Sequence, residues 1–343
     1  MSVQSDLPLV TSECIPRDDV VAGEIEEEQY AASVYSVAHG TNVPEVYDNP
    51  TTFFDRTYPT DGLQEVLEHV ASRLTASSEG RDSAYNGTVT LDTAFGGGKT
   101  HSQIAAYHLA TAGDEIPNLD QYVENKETAR EYQSALSGVS VNTGVFVGGK
   151  YGPLPVRPEE DAPEIQTMWG HLAYQLFGWR GYDEIEEFED QLVSPGGQAL
   201  DNLFSLSDAP SVVIIDEIAA YLAHASGVSI ESNENLGGRT LNFLMSLLQY
   251  AAETTKVTVV MSVAADAFED FAKIFDEEIS QAEFDINVDV PIAKETVQEF
   301  KNLEMKFVKK IKPTSDDEVT DVLRNRLFEK PPSEEIRQQV ASE

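Results

Sequence analysis

The run Thr93-Ala94-Phe95-Gly96-Gly97-Gly98-Lys99-Thr100-His101 carries the strongest chemical signal in this chain. Consecutive glycines let backbone N–H groups turn inward around an anion with no Cβ in the way. The lysine that follows can neutralise β/γ-phosphate oxygens, and the Thr100 hydroxyl suits Mg²⁺. The run lies between a β-type segment, Thr88-Val89-Thr90-Leu91, and a helix-compatible one, Ser102 to Leu109. Strand, glycine loop, Lys-Thr and helix is the layout of a phosphate-binding P-loop, where the helix N-terminus adds unpaired N–H groups. One position departs: the pattern G-x-x-x-x-G-K-[ST] opens on glycine, and Thr93 stands there. For the loop alone, a glycine turn with a chance Lys-Thr is the competing reading.

A second stretch complements it. Ser211-Val212-Val213-Ile214-Ile215-Asp216-Glu217 is an apolar run ending in two acids. Buried parallel strands read as continuous Val/Ile runs, and an acid at their carboxyl end lies on the ligand edge of an open α/β sheet. Asp216 is thus expected to hold Mg²⁺ with Thr100, as a Walker B aspartate does, and Glu217 to orient or deprotonate a water. A solvated turn is the bland alternative for the acid pair.

Two further positions depend on the class of P-loop. The segment Val257-Thr258-Val259-Val260-Met261 reads as a strand followed by Ser262, with Asp266 a turn beyond. In ATPases of the AAA+ type this strand flanks the P-loop strand and offers a polar residue to the γ-phosphate. Ser262 matches that sensor position; a plain strand-terminal serine is the other reading. Arg239 opens the preceding helix and is a candidate finger for a neighbouring subunit's nucleotide, which implies a homo-oligomer; a surface arginine is the alternative. Asn125-Lys126-Glu127-Thr128 does not make a guanine-recognition motif, so ATP is the expected nucleotide.

These residues need a scaffold, and the rest of the chain supplies one. It has 343 residues, 41% of them hydrophobic, enough for one large α/β domain or two smaller ones. Strands are expected at 88–91, Thr143–Val147, Val212–Asp216, Val257–Met261 and Lys306–Ile311. Helices are expected at Gly62–Leu74 behind an Asp61 cap, Ile165–Phe177, Gly237–Ala252 behind a glycine pair and Glu318–Phe328 before Pro331-Pro332. A helical insert covers 117–137, and an acidic helical stretch runs from Gly23 to Ala38. Trp169 and Trp179 are expected in the core rather than on a ligand. The pattern predicts a three-layer αβα P-loop NTPase fold with a mostly parallel five-stranded sheet at 76–313. A mainly helical extension precedes it at 1–75, and the start of a helical lid follows at 314–343.

Net charge is −37, with 60 Asp+Glu against 23 Lys+Arg spread along the chain. Such a surface suggests adaptation to concentrated salt, which screens self-repulsion. It also disfavours broad non-specific DNA binding, which needs many cations. Lys306, Lys309, Lys310 and Lys312 form the one basic cluster, read as the exposed face of an edge strand. Cys14 is the only cysteine, so no internal disulfide forms and a reducing cytoplasm is expected. No run approaches about 18 apolar residues, so no membrane span is expected.

The chain also resembles an AAA+-type ATPase family catalogued as domain of unknown function 499, in a salt-adapted, haloarchaeal-like form. The resemblance rests on 95–101 and on Phe53-Phe54-Asp55-Arg56-Thr57-Tyr58-Pro59-Thr60. It extends to Thr167-Met168-Trp169-Gly170-His171-Leu172-Ala173-Tyr174-Gln175-Leu176, Ile214-Ile215-Asp216-Glu217-Ile218 and Leu323-Arg324-Asn325-Arg326-Leu327-Phe328. It implies that Thr93 is ordinary for the group. It also implies longer relatives that accompany DNA adenine methyltransferases in defence-type gene clusters, so a split or truncated product with an incomplete lid is expected. The expected function is Mg²⁺-dependent ATP hydrolysis beside a DNA-modification or defence system, with a methyltransferase as protein partner. The alternative is a nucleotide-gated switch that binds ATP without efficient turnover.

Overall fold

Five runs rich in Val, Ile and Thr assemble into one parallel sheet. In the computed structural model, which describes residues 15–22, 33–92, 98–231, 234–263 and 308–330, these are β1 (Thr88–Asp92), β2 (Asn142–Val147), β3 (Ser211–Asp216), β4 (Val257–Val263) and β5 (Val308–Ile311). Their spatial order is β2-β3-β4-β1-β5. Every neighbouring pair is parallel, which requires crossover connections and hence helices on the faces. β4 lies between β1 and β3 and pairs with both.

Side-chain alternation along the strands feeds two cores. Val213 and Ile215 of β3, with Val259 and Met261 of β4, face one cluster. It is built with α4 (Met168–Phe177), α5 (Trp179–Asp190), α6 (Gly197–Phe204), α7 (Ile218–Ser226) and α8 (Leu236–Glu253). Val212, Ile214 and Val260 face the other. That side holds α1 (Asp61–Ser78), α2 (Lys99–Ala112) and α3 (Lys126–Leu136), together with the short helices Val34–His39, Glu45–Asp48 and Pro50–Asp55. Leu91, Ile104 and Leu109 are fully buried there, each contributing about 2 kcal/mol by removal from water. A charge at Ile214, on the interior strand β3, would break this side.

The α1 stripe follows the expected spacing: Leu63, Val66, Leu67, Val70 and Leu74 are all buried. From the same helix Arg73 donates to the carbonyls of Ala251 (3.0 Å), Thr254 (2.7 Å) and Val257 (2.8 Å), clamping the joint between α8 and β4. Burial pulls its guanidinium down to about 10. β5 is an edge strand of this sheet. Lys309 lies 2.7 Å from Glu65 and Lys310 4.0 Å from Asp92, both lysines exposed, as expected for the basic cluster. Lys306 lies outside the described residues. A last helix, α9 (Val319–Leu327), leads into Phe328–Lys330, which pairs antiparallel with Ile15–Pro16.

Several boundaries differ from expectation, each for a local reason. Thr60, not Asp61, caps α1, because the Thr60 hydroxyl accepts from Leu63 N at 3.2 Å and donates to Pro313 O at 2.6 Å. The glycine pair Gly237-Gly238 lies inside the first turn of α8; Asn235 is the cap, accepting from Gly238 N at 2.8 Å. Ile165 pairs with Val156 in an isolated bridge, so α4 starts only after Thr167, whose hydroxyl accepts from Gly170 N. Gly178 adopts φ +62 and ends that helix, and two helices not expected from sequence, α5 and α6, follow. The break puts Trp179 at the start of α5, 49% exposed, with its indole donating to Asp161 O at 3.0 Å. Trp179 is therefore not a core residue, whereas Trp169 is 1% exposed. Of the expected insert at 117–137, the helical part is a 3-10 turn, Leu119–Gln121, and α3. The acidic stretch is described from Ser33, and its helix ends at Gly40 in the left-handed region. Residues 23–32, Cys14, Asp266 and Pro331-Pro332 lie outside the described residues. Among those described, no helix is long and apolar enough to cross a membrane.

Candidate functional site

Asp216 ends β3 and is 7% exposed, with both carboxylate oxygens engaged. Oδ2 accepts from the Thr100 hydroxyl at 3.4 Å. Oδ1 accepts one hydrogen bond from the Ser262 hydroxyl and another from Glu217 N at 3.0 Å. Three elements meet here for topological reasons. In the register of the sheet Ser262 of β4 stands opposite Leu91 of β1, and Ile215 of β3 opposite Met261 of β4. The carboxyl ends of β1, β3 and β4 therefore share one edge, where α2 begins.

The first turn of α2 carries the rest. Gly98 is its N-cap with φ +81, a backbone region that favours glycine. A Cβ there would sit 3.0 Å from Thr314 Oγ1, so the loop after β5 packs closely against this turn. Lys99 is the first helical residue and Thr100 the second. The leading N–H groups of a helix have no intrahelical acceptor and favour an anion. Thr93, Ala94, Phe95, Gly96 and Gly97 lie outside the described residues. Gln103, one turn after Thr100, donates from Nε2 to Ile215 O at 2.8 Å. It ties α2 to the strand that bears Asp216.

His101 points elsewhere. Its ring lies 4.6 Å from that of Phe53, and its Nε2 shares a 3.0 Å hydrogen bond with the Thr57 hydroxyl. Thr57 already donates to Phe53 O at 2.7 Å, so His101 is the donor. Burial, reinforced by Arg326 and His108, pushes the imidazole down to about 3. The neutral ring anchors helix Pro50–Asp55 to α2.

Glu217 follows Asp216 with φ 50 and ψ 33, a left-handed conformation costly for a residue with a Cβ. It is the N-cap of α7 and its side chain is exposed. Across from it runs the turn after β2, where Gly148 N donates to Asp216 O at 2.8 Å. Ideal Cβ atoms at Gly148 and Gly149 would lie 2.1 Å from Glu217 O and 2.6 Å from Glu217 Oε2. Arg239 stands in the first turn of α8, ion-paired with Glu234. That turn packs on the far end of α7, where a Cβ at Gly237 would meet Ser226 Oγ at 2.5 Å. A nine-residue helix thus separates Arg239 from Glu217.

Thr100, Asp216, Glu217 and Ser262 therefore converge, Lys99 and Gly98 adjoin them, and Arg239 and the His101 ring stand apart. Gln103 and the Gly148-Gly149 turn were not singled out from sequence. Gln103 falls on the α2 face that carries Thr100, which is a usable signal, but a diglycine after a strand is not. A family model described as the DUF499 N-terminal domain matches residues 12–284. No curated protein and no solved structure matches.

Proposed function

This chain belongs to the DUF499 N-terminal domain family, and from that premise we propose that it binds Mg²⁺–ATP in an AAA+-like P-loop site and hydrolyses it. The contact of Thr100 with Asp216, at 3.4 Å, carries the proposal. A hydroxyl from a helix opening on Gly-Lys-Thr and a carboxylate from a strand end are hard oxygen donors of the kind Mg²⁺ selects. They would hold the ion, which when bound supplies charge neutralisation at the phosphate oxygens. Gly98 in its left-handed conformation, and the N-terminus of α2 behind it, suit the β/γ-phosphates, with Lys99 one residue from Thr100. Glu217 would align and deprotonate the attacking water. Ser262, bonded to Asp216 from the strand between β1 and β3, would report the γ-phosphate to the metal shell.

The test is nucleotide binding and phosphate release by the whole chain. Lys99→Ala should abolish tight ATP binding; Glu217→Gln should bind ATP and block turnover down to a small residual rate. Unchanged ATP affinity in Lys99→Ala would remove the site. Tight binding by the wild type with no phosphate release would instead support a nucleotide-gated switch.

A further inference from the structure

Glu217 is exposed, so its carboxylate needs something besides burial to hold it. Its backbone is fixed by the left-handed conformation and by the hydrogen bond from its N–H to Asp216 Oδ1 at 3.0 Å. Its carboxylate lies over Gly149, filling the space a Cβ would take, 2.6 Å from Oε2. The turn beneath is itself pinned. Gly148 N donates to Asp216 O at 2.8 Å and Lys150 N to Val147 O at 2.8 Å. One residue on, Tyr151 stacks on Phe146 at 4.5 Å with the rings 9° apart, and its hydroxyl accepts from Gln175 Nε2 at 2.9 Å. The Gly148-Gly149 turn is thus a fixed floor, while the carboxylate above it is the movable partner.

We propose that Gly149 is a positioning residue for turnover: its missing side chain leaves the space in which the Glu217 carboxylate rests. This builds on the reading of Glu217 as the residue that activates water. The two glycines differ in a useful way. A methyl group at Gly148 would strike the Glu217 backbone carbonyl, at 2.1 Å, and damage the fold. A methyl group at Gly149 meets only the far end of a flexible side chain, so the fold survives and the carboxylate moves. Displacing a catalytic group by about 1 Å can cost up to a hundredfold in rate.

Steady-state ATP turnover, ATP affinity from a fluorescent analogue, and melting temperature would be measured for the full chain. Gly149→Ala should lower kcat by about tenfold or more and leave affinity and melting temperature near wild type. Gly152→Ala, three residues on with nothing within 4 Å of its Cβ position, should match wild type throughout. In a Glu217→Gln background, Gly149→Ala should slow turnover no further, because both changes act on the same carboxylate. Wild-type kcat in Gly149→Ala beside a slow Glu217→Gln, or an added loss in the double variant, overturns the inference alone. A Glu217→Gln variant as fast as wild type, or a wild type with no turnover, overturns the underlying assignment of Glu217 and this inference with it.

Discussion

The hydroxyl of Thr100 and the carboxylate of Asp216 stand 3.4 Å apart although they are 116 positions apart in sequence. Nothing local brings them together. The contact exists because β4 separates β1 from β3, so that the helix following one strand and the acid ending another share an edge.

Asp216→Asn keeps the size of the side chain and removes its charge. If Thr100 and Asp216 hold Mg²⁺, the Mg²⁺ concentration for half-maximal ATP turnover should rise by about tenfold or more. A Mg²⁺ titration superimposable on wild type would take Asp216 out of the metal shell.

Ser262→Ala removes one of two donors to Asp216 Oδ1 and leaves Glu217 N. A γ-phosphate sensor should then show turnover slowed about tenfold with ATP affinity little changed. A plain strand-end serine would move neither quantity, and that outcome would strike Ser262 from the mechanism.

Arg73 is 3% exposed and serves three carbonyls at the joint of α8 and β4. Arg73→Met fills much of the space and strands those acceptors. A loss of about 3 kcal/mol is expected in denaturant unfolding at constant salt. A midpoint equal to wild type would show the clamp to be dispensable.

His69 and His171 are buried, and burial is the main cause that pulls each imidazole down to about 4 from an ordinary 6.5. Below the ordinary value the unfolded chain takes up protons that the folded chain refuses. Their contribution is therefore whole above about pH 6.5 and is lost as pH falls toward about 4, at up to about 1.4 kcal/mol per pH unit for each histidine. Glu189, raised by burial, acts with the opposite sign. Melting temperature should fall between pH 7.5 and 5.5 at fixed salt, and His171→Phe should flatten the slope. An identical slope in that variant would contradict the assignment of His171.

The sheet and the Thr100–Asp216 pair were legible in the sequence because each depends on a short pattern. Val/Ile runs announce buried strands, and Gly-Lys-Thr after a strand announces a helix that opens at the carboxyl edge of the sheet. Ser262 was legible from its place after such a run. Gly149 was not, because its meaning depends on a contact with Glu217 that only the sheet order creates. Trp179 was misjudged since Gly178 resets the helix just before it, moving the indole off the core face. Thr60 outranked Asp61 as a cap because its hydroxyl also reaches Pro313, a partner from the distant loop after β5.

The left-handed backbone at Glu217 carries a practical consequence for anyone improving this protein. Glycine, and to a lesser degree asparagine, would sit there with about 1 kcal/mol less strain. A library screened for heat resistance alone should therefore accumulate those replacements at position 217. If Glu217 activates water as proposed, such winners would be sturdier molecules without the carboxylate, and their idle sites would escape notice until phosphate release was assayed.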